Sequence, residues 1–174
     1  SVAEALKQVD ASTTHIAVHD AARPATPVEL LDRIFKAAEQ HPAVIPAIEV
    51  TDTLKRVSEA DVGHDDIDPL DAILGDAGKT SAKGREVVET VDRASLVSVQ
   101  TPQVFDANLL RRAYESDDAS ATDDAQMVER LGEPVIVVDG DARNLKITVP
   151  ADLPITRSIM GLKPPKERAA HKRF

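Results

Sequence analysis

His15-Ile16-Ala17-Val18-His19-Asp20-Ala21-Ala22-Arg23-Pro24 is an apolar run followed at once by a carboxylate, two small residues and a guanidinium. The run reads as a buried parallel strand. Its polar continuation then falls at the strand's carboxyl end, the edge of an open α/β sheet where ligands bind. The alanines let a ligand approach the backbone. Asp20 suits a metal or a hydroxyl, and Arg23 suits a phosphate. A turn closed by a surface ion pair has the same spelling, so this stretch alone leaves both readings open.

Outward from it, apolar runs alternate with helical patterns. Residues 1–9 place Val2, Ala5, Leu6 and Val9 on one helix face. Thr26-Pro27-Val28-Glu29 has the form of a capping box with proline at the first helical position. It opens a helix to about residue 39 whose apolar face is Leu30, Leu31, Ile34, Phe35 and Ala38. Residues 43–48 read as a strand that Pro46 assigns to a sheet edge or a bulge. Residues 51–57 and 86–91 read as the two sides of an extended arm, with the Asp- and Gly-rich segment 58–85 as a flexible insertion at its tip. Further strands are expected at 96–99, 135–138 and 145–148. Helices are expected at 106–115, from Thr122-Asp123-Asp124 onward, and at 150–160. Such alternation predicts a parallel α/β architecture.

Composition narrows the class. A chain of 174 residues can bury one sizeable core. With 2% aromatics and no Trp, that core must be built from Val, Leu, Ile and Ala. A net charge of −9 is not the footprint of a nucleic-acid binder, although a local cation cluster still suits phosphate esters. The absence of Cys excludes disulfides, thiolate nucleophiles and Cys-based zinc sites, and fits a cytoplasmic protein. No apolar run approaches the ~20 residues of a membrane span. The first residues read as the middle of a helix, so the chain is expected to begin partway through a larger domain. The basic tail from Lys163 is expected to be solvated.

Four further segments carry chemistry. Asp52-Thr53-Leu54-Lys55-Arg56 lies opposite Thr90-Val91-Asp92-Arg93, and from the pattern alone a polar hairpin with cross-strand charge pairs accounts for it better than a site does. Gln100-Thr101-Pro102-Gln103 follows a strand with uncharged donors suited to hydroxyl or phosphate recognition, or simply turns. Thr122-Asp123-Asp124-Ala125 is a capped helix start, or an anion site that the two aspartates oppose unless a cation intervenes. Lys146 and Thr148, two apart on a strand, face one side and call for an anionic partner if the strand is internal. The five His show no metal spacing, and His19 reads as a structural, hydrogen-bonded residue. No nucleophile elbow or Walker loop is present in the sequence.

In this order the segments resemble the methylerythritol-phosphate cytidylyltransferase family. The likeness rests on 18–24, 52–55, 90–93, 100–105, 122–125 and 144–148, and spans about residues 1–161. The resemblance implies one α/β domain, a Rossmann-like nucleotidyltransferase sheet with helices on both faces. It also implies a protruding β-arm over residues 50–93 that clasps a second subunit to make a homodimer. The implied reaction joins CTP to methylerythritol phosphate with Mg²⁺. By resemblance Lys146 and Arg93 are catalytic, Arg93 coming from the partner's arm. Asp20, Thr53, Thr101, Thr122 and Thr148 bind the sugar phosphate, and Ser1, Ala21 and Arg23 lie on the CTP side. No residue is assigned as a metal ligand.

The family's glycine-rich loop, bearing an Arg and followed by a Lys, is not among these residues, so the chain is expected to hold the substrate half of the site. Arg143 stands where an acidic residue is common. Ribitol-phosphate cytidylyltransferase is the neighbouring alternative, disfavoured by the small Ala22. A non-catalytic ligand-binding or dimerisation fragment is the other.

Overall fold

Ala43-Val44-Ile45-Pro46-Ala47-Ile48-Glu49 forms the strand on which the main sheet is built, and its side chains alternate between two apolar faces. The computed structural model describes residues 2–62, 84–115, 121 and 123–163. Its helices are α1 (Val2–Leu6), α2 (Val28–Ala38), α3 (Ala107–Ala113), α4 (Asp124–Arg130) and α5 (Asp152–Ile159). Its strands are β1 (His15–Val18), β2 (Ala43–Glu49), β3 (Leu54–Val62), β4 (Gly84–Val91), β5 (Val97–Val99), β6 (Gln103–Asp106) and β7 (Ile136–Asp139).

The main sheet runs β1-β6-β2-β5, with β7 paired to β2 as well. β2 and β7 are parallel, from Val44 opposite Ile136 to Ala47 opposite Asp139. β6, in contrast, is antiparallel both to β1 and to β2. The sheet is therefore mixed rather than parallel. The opening strand β1 is correspondingly half-exposed, pairing antiparallel from His15 opposite Asp106 to Val18 opposite Gln103.

Two cores cover the sheet. On one face Ala43, Ile45 and Phe105 pack with Leu109, Leu110 and Ala113 of α3 and with Ala125, Met127 and Val128 of α4. On the other, Val44 and Val104 pack with Leu30, Ile34 and Ala38 of α2. Burying each large side chain contributes on the order of 1.5–3 kcal/mol. Aliphatic residues, one methionine and one phenylalanine thus supply both layers, with helices on both faces as expected. Phe35, expected on the buried face of α2, is 47% exposed.

Several local expectations are corrected. Pro46 is buried in the middle of β2, not at an edge. Its carbonyl accepts from Gln100 N at 2.7 Å, where β2 changes partner from β6 to β5 and an interrupted ladder tolerates a residue without an N–H. The capping box before α2 does not form: Pro27 itself is the N-cap, and no side-chain bond is made there. Residues 145–148 lie in no strand or helix. α4 is capped by Asp123, whose carboxylate accepts from Gln126 N, rather than by a hydroxyl. The Thr101–Pro102 peptide bond is cis.

The chain divides into two compact units, residues 1–48 with 98–174, and residues 49–97. The second is the antiparallel hairpin β3–β4, with Lys55 opposite Thr90 and Arg56 opposite Glu89. Its strands reach Val62 and Gly84, further than expected. The remainder of the expected insertion, 63–83, and the tail from 164 lie outside the described residues.

Candidate active site

Asp20 follows β1, Thr101 precedes β6, and Lys146 lies in the irregular segment after β7. Together with Arg23 they line one cavity of ≈ 380 Å³ in the first unit. Ligand-facing loops at the ends of β1 and β6 are what the sheet topology provides. Here the carboxyl end of β1 meets the start of its antiparallel neighbour.

The charges are tightly organised. Asp20 Oδ2 lies 3.0 Å from Lys146 Nζ and 3.3 Å from Arg23 Nε. The Arg23 side chain is 11% exposed, so its guanidinium needs partners, and Nη1 donates to Asn144 O at 2.7 Å. Burial pushes the Asp20 carboxyl up. The bonds and charges of Lys146 and then Arg23 outweigh it and hold the group below its ordinary value.

Thr101 fixes the Asp20 loop. Its Oγ1 accepts from Asp20 N at 2.9 Å and lies 3.0 Å from His19 Nδ1. His19 Nε2 is in turn 3.2 Å from Arg23 O. His19 is thus a structural residue that braces the turn.

Asp123 and Asp124 also line the cavity. Gln103, buried at the start of β6, donates to Asp123 Oδ2 and accepts from Ala125 N, each at 3.1 Å. Tyr114 donates its phenol to Asp124, and burial together with that carboxylate pushes the phenol well above its usual range.

The other expected residues fall elsewhere. Ala21 is exposed beside the cavity, and its neighbour Ala22 accepts a bond from Ile147 N at 2.9 Å. Thr148 does not share a strand face with Lys146. Its hydroxyl donates to Asp152 Oδ2 at 3.0 Å, and the same oxygen accepts from Thr148 N and Val149 N at the start of α5. Thr53 and Arg93 belong to the hairpin unit, where Arg93 Nη1 donates to Val50 O at 3.1 Å. Lys55 Nζ donates to Thr90 Oγ1 at 2.5 Å, so that pair serves the hairpin itself. Ser1 and Thr122 lie outside the described residues. Arg143 pairs with Asp141 at 2.8 Å and Glu29 at 3.5 Å on the surface.

The segments 100–105 and 144–148 were singled out in the sequence, but Gln103 and Asn144 within them were given no role of their own. Both are buried and hydrogen-bonded, and their partners are distant in the chain.

The family profile of IspD, 2-C-methyl-D-erythritol 4-phosphate cytidylyltransferase, matches residues 1–68 and 70–162. A 2-C-methyl-D-erythritol 4-phosphate cytidylyltransferase from Frankia casuarinae is 39% identical over 170 residues, covering 97% of this chain and 55% of that protein. One from Nocardia farcinica is 44% identical over 146 residues, covering 82% of this chain and 52% of that protein. The crystal structure of the Thermus thermophilus enzyme of that name superposes with a TM-score of 0.69 at 32% identity, covering 93% of this chain and 68% of that one. A crystal structure of 4-diphosphocytidyl-2C-methyl-D-erythritol synthase gives a TM-score of 0.70 at 35% identity, over 91% of this chain and 64% of that one. The chain spans about half the length of the curated relatives it matches.

Proposed function

We infer that this chain, which belongs to the 2-C-methyl-D-erythritol 4-phosphate cytidylyltransferase family, carries the sugar-phosphate half of a cytoplasmic enzyme that transfers a cytidylyl group from CTP to 2-C-methyl-D-erythritol 4-phosphate. The products are 4-diphosphocytidyl-2-C-methyl-D-erythritol and pyrophosphate. The observation that carries this reading is the Lys146–Asp20–Arg23 cluster beside Thr101 in one cavity.

The substrate phosphate oxygen attacks the α-phosphorus of CTP in line, and the bond to the bridging oxygen of the leaving pyrophosphate breaks. A phosphate monoester is already a nucleophile at neutral pH, so the site needs cations and positioning rather than a general base. Asp20 holds Lys146 until substrate arrives. The phosphate then takes the ammonium, and the freed carboxylate accepts from the sugar hydroxyls. Arg93 and Thr53 act from the partner's hairpin in a homodimer, and Thr122 belongs to the sugar-phosphate side. Ser1 and Ala21 flank the nucleotide with Arg23.

Mg²⁺ binds through one or two carboxylates plus substrate phosphates and keeps several waters. Among the described residues no three His, Cys, Asp or Glu side chains form a metal's ligand set, and Mg²⁺ held in this way requires none. Asp20, ionised and on the cavity wall, would hold the ion there, and Asp123 and Asp124 line the same cavity. The ion would neutralise triphosphate charge.

Pyrophosphate release by the full-length protein, with methylerythritol phosphate and ribitol phosphate assayed side by side, tests the reading. Methylerythritol phosphate is expected to be the better substrate. Lys146→Ala is expected to lower kcat by about 10²–10³-fold with an unchanged thermal midpoint. Near-wild-type turnover in that variant would sink the assignment.

A further inference from the structure

We propose that Asn144 is the positioning residue of this site: a buried amide that locks the Lys146 segment against the Asp20 loop and the Thr101 turn. Its side chain is 0% exposed, and it does not line the cavity, so it acts through others. Residues 145–148 have no sheet ladder to hold them. The bonds that fix this segment therefore decide where the Lys146 ammonium stands.

Asn144, at the head of the segment, makes five of them, three through its amide, while Thr148 at the other end is held by Asp152. Nδ2 of Asn144 donates to Thr101 O at 2.8 Å and to Gln100 Oε1 at 3.3 Å. Its Oδ1 accepts from Thr26 Oγ1 at 2.9 Å. Its main-chain oxygen accepts from Arg23 Nη1 at 2.7 Å, and its N–H donates to Asp141 O at 3.0 Å. One residue thus bonds to the turn after β1, to the link between β5 and β6, and to the loop after β7. Beyond Asn144, the Ile147 N–H to Ala22 O bond is a second tie to the Asp20 loop.

Backing is rigid as well. Gln100, 5% exposed, spans Asp141 with both ends of its amide: Nε2 donates to Asp141 O at 3.0 Å and Oε1 accepts from Asp141 N at 3.2 Å. The acceptor that Asn144 meets is therefore itself fixed. Removing the amide leaves Thr101 O without this donor, and Lys146 loses registry with Asp20 by a fraction of an ångström or more. Small misplacements are costly in a reaction that depends on alignment.

The inference rests on Lys146 acting on the substrate phosphate, and the test separates the two. In the full-length enzyme Asn144→Ala is expected to lower kcat/KM for the sugar phosphate about tenfold to a hundredfold, with KM for CTP within about twofold. In a Lys146→Ala background the same change is expected to cost little further, because both act through one ammonium. A loss that multiplies undiminished in that background overturns the proposal and makes Asn144 structural only. Wild-type kinetics in Asn144→Ala beside an impaired Lys146→Ala overturns it while leaving the role of Lys146 standing. Wild-type kinetics in Lys146→Ala overturns both. Should Asn144→Ala not fold, Thr26→Val removes at nearly constant volume a hydroxyl placed to donate to Asn144 Oδ1 at 2.9 Å and to Arg23 O at 3.0 Å, and the same change in the Lys146→Ala background separates its effect on Lys146 from any other. An expected drop of about threefold to tenfold in kcat/KM then supports the proposal, and no change overturns it.

Discussion

Asp20 meets both cations with a single oxygen: Oδ2 contacts Lys146 and Arg23. Burial acts to raise its carboxyl, Lys146 and Arg23 act to lower it, and the cations win, so the folded value lies below the ordinary 3.8. The sign of the linkage follows. A carboxylate depressed by folding contributes its stability above the unfolded value and loses it as pH falls through the lower folded value. From about pH 5 upward Asp20 is fully ionised in either state and contributes no slope. The carboxyl-carbon shift of Asp20 should therefore titrate with a midpoint below 3.8, and the pH profile of kcat/KM should show no Asp20 limb near neutrality. A midpoint at or above the ordinary value would mean that Lys146 and Arg23 are not paired with it in solution.

At this scale legibility was uneven. Asp20, Arg23, Thr101 and Lys146 were readable because each is a polar residue beside an apolar run, and the structure brings these four to one cavity. Thr148 was misread because its spacing from Lys146 was taken as strand geometry, whereas Asp152, four residues on, claims its hydroxyl. The role of Asn144 was not legible, because a buried amide takes its meaning from partners 43 and 118 positions away.

Among the elements, β7 and β2 show how a backbone position can govern the site. Gly140 N, just beyond β7, donates to Ala47 O at 2.7 Å. A Cβ there would sit 2.8 Å from Gln100 Oε1 and 2.9 Å from the Ala47 carbonyl carbon and oxygen. Two of those atoms are main chain in a central strand and cannot yield. Gly140→Ala should cost about 1–3 kcal/mol, as overpacking does, read as a lowered midpoint in urea unfolding. The disturbance should reach Asn144, since Gln100 stands between the two. A variant as stable as wild type would show that β7 and β2 separate easily at that end.

Helices and the hairpin were legible because their patterns are long. α2 buries Leu30, Ile34 and Ala38 at helical spacing, and β3–β4 pairs as the charge pattern required. Strand direction was not legible. β1 and β6 have four residues each, too few to distinguish a parallel from an antiparallel neighbour by side-chain pattern. β6 was passed over altogether, because Gln103 and Asp106 at its ends look like turn residues until Gln103 is seen to be buried against α4.

For the molecule as a whole, the decisive division is between the sheet unit, which holds Asp20, Thr101 and Lys146, and the hairpin unit, which holds Thr53 and Arg93. Within the hairpin, Arg56 and Glu89 close a cross-strand pair at 2.6 Å, while Val87 and Val88 are left exposed on a two-stranded sheet. A lone hairpin is marginal in water, so apolar residues of this kind favour cover by another surface. The proposed homodimer makes a sharp statement about Arg93, namely that it serves the partner's Lys146 rather than its own. Mixing inactive Arg93→Ala and Lys146→Ala proteins under conditions that exchange subunits tests it. Each mixed dimer would then hold one site with both residues intact and one with neither. At equal concentrations half the dimers are mixed, so activity should recover to roughly a quarter of wild type. If Arg93 instead acts within its own chain, every site in every dimer lacks one residue and mixing restores nothing. Recovery that follows subunit exchange would therefore place the hairpin across the interface and make dimerisation a condition of catalysis.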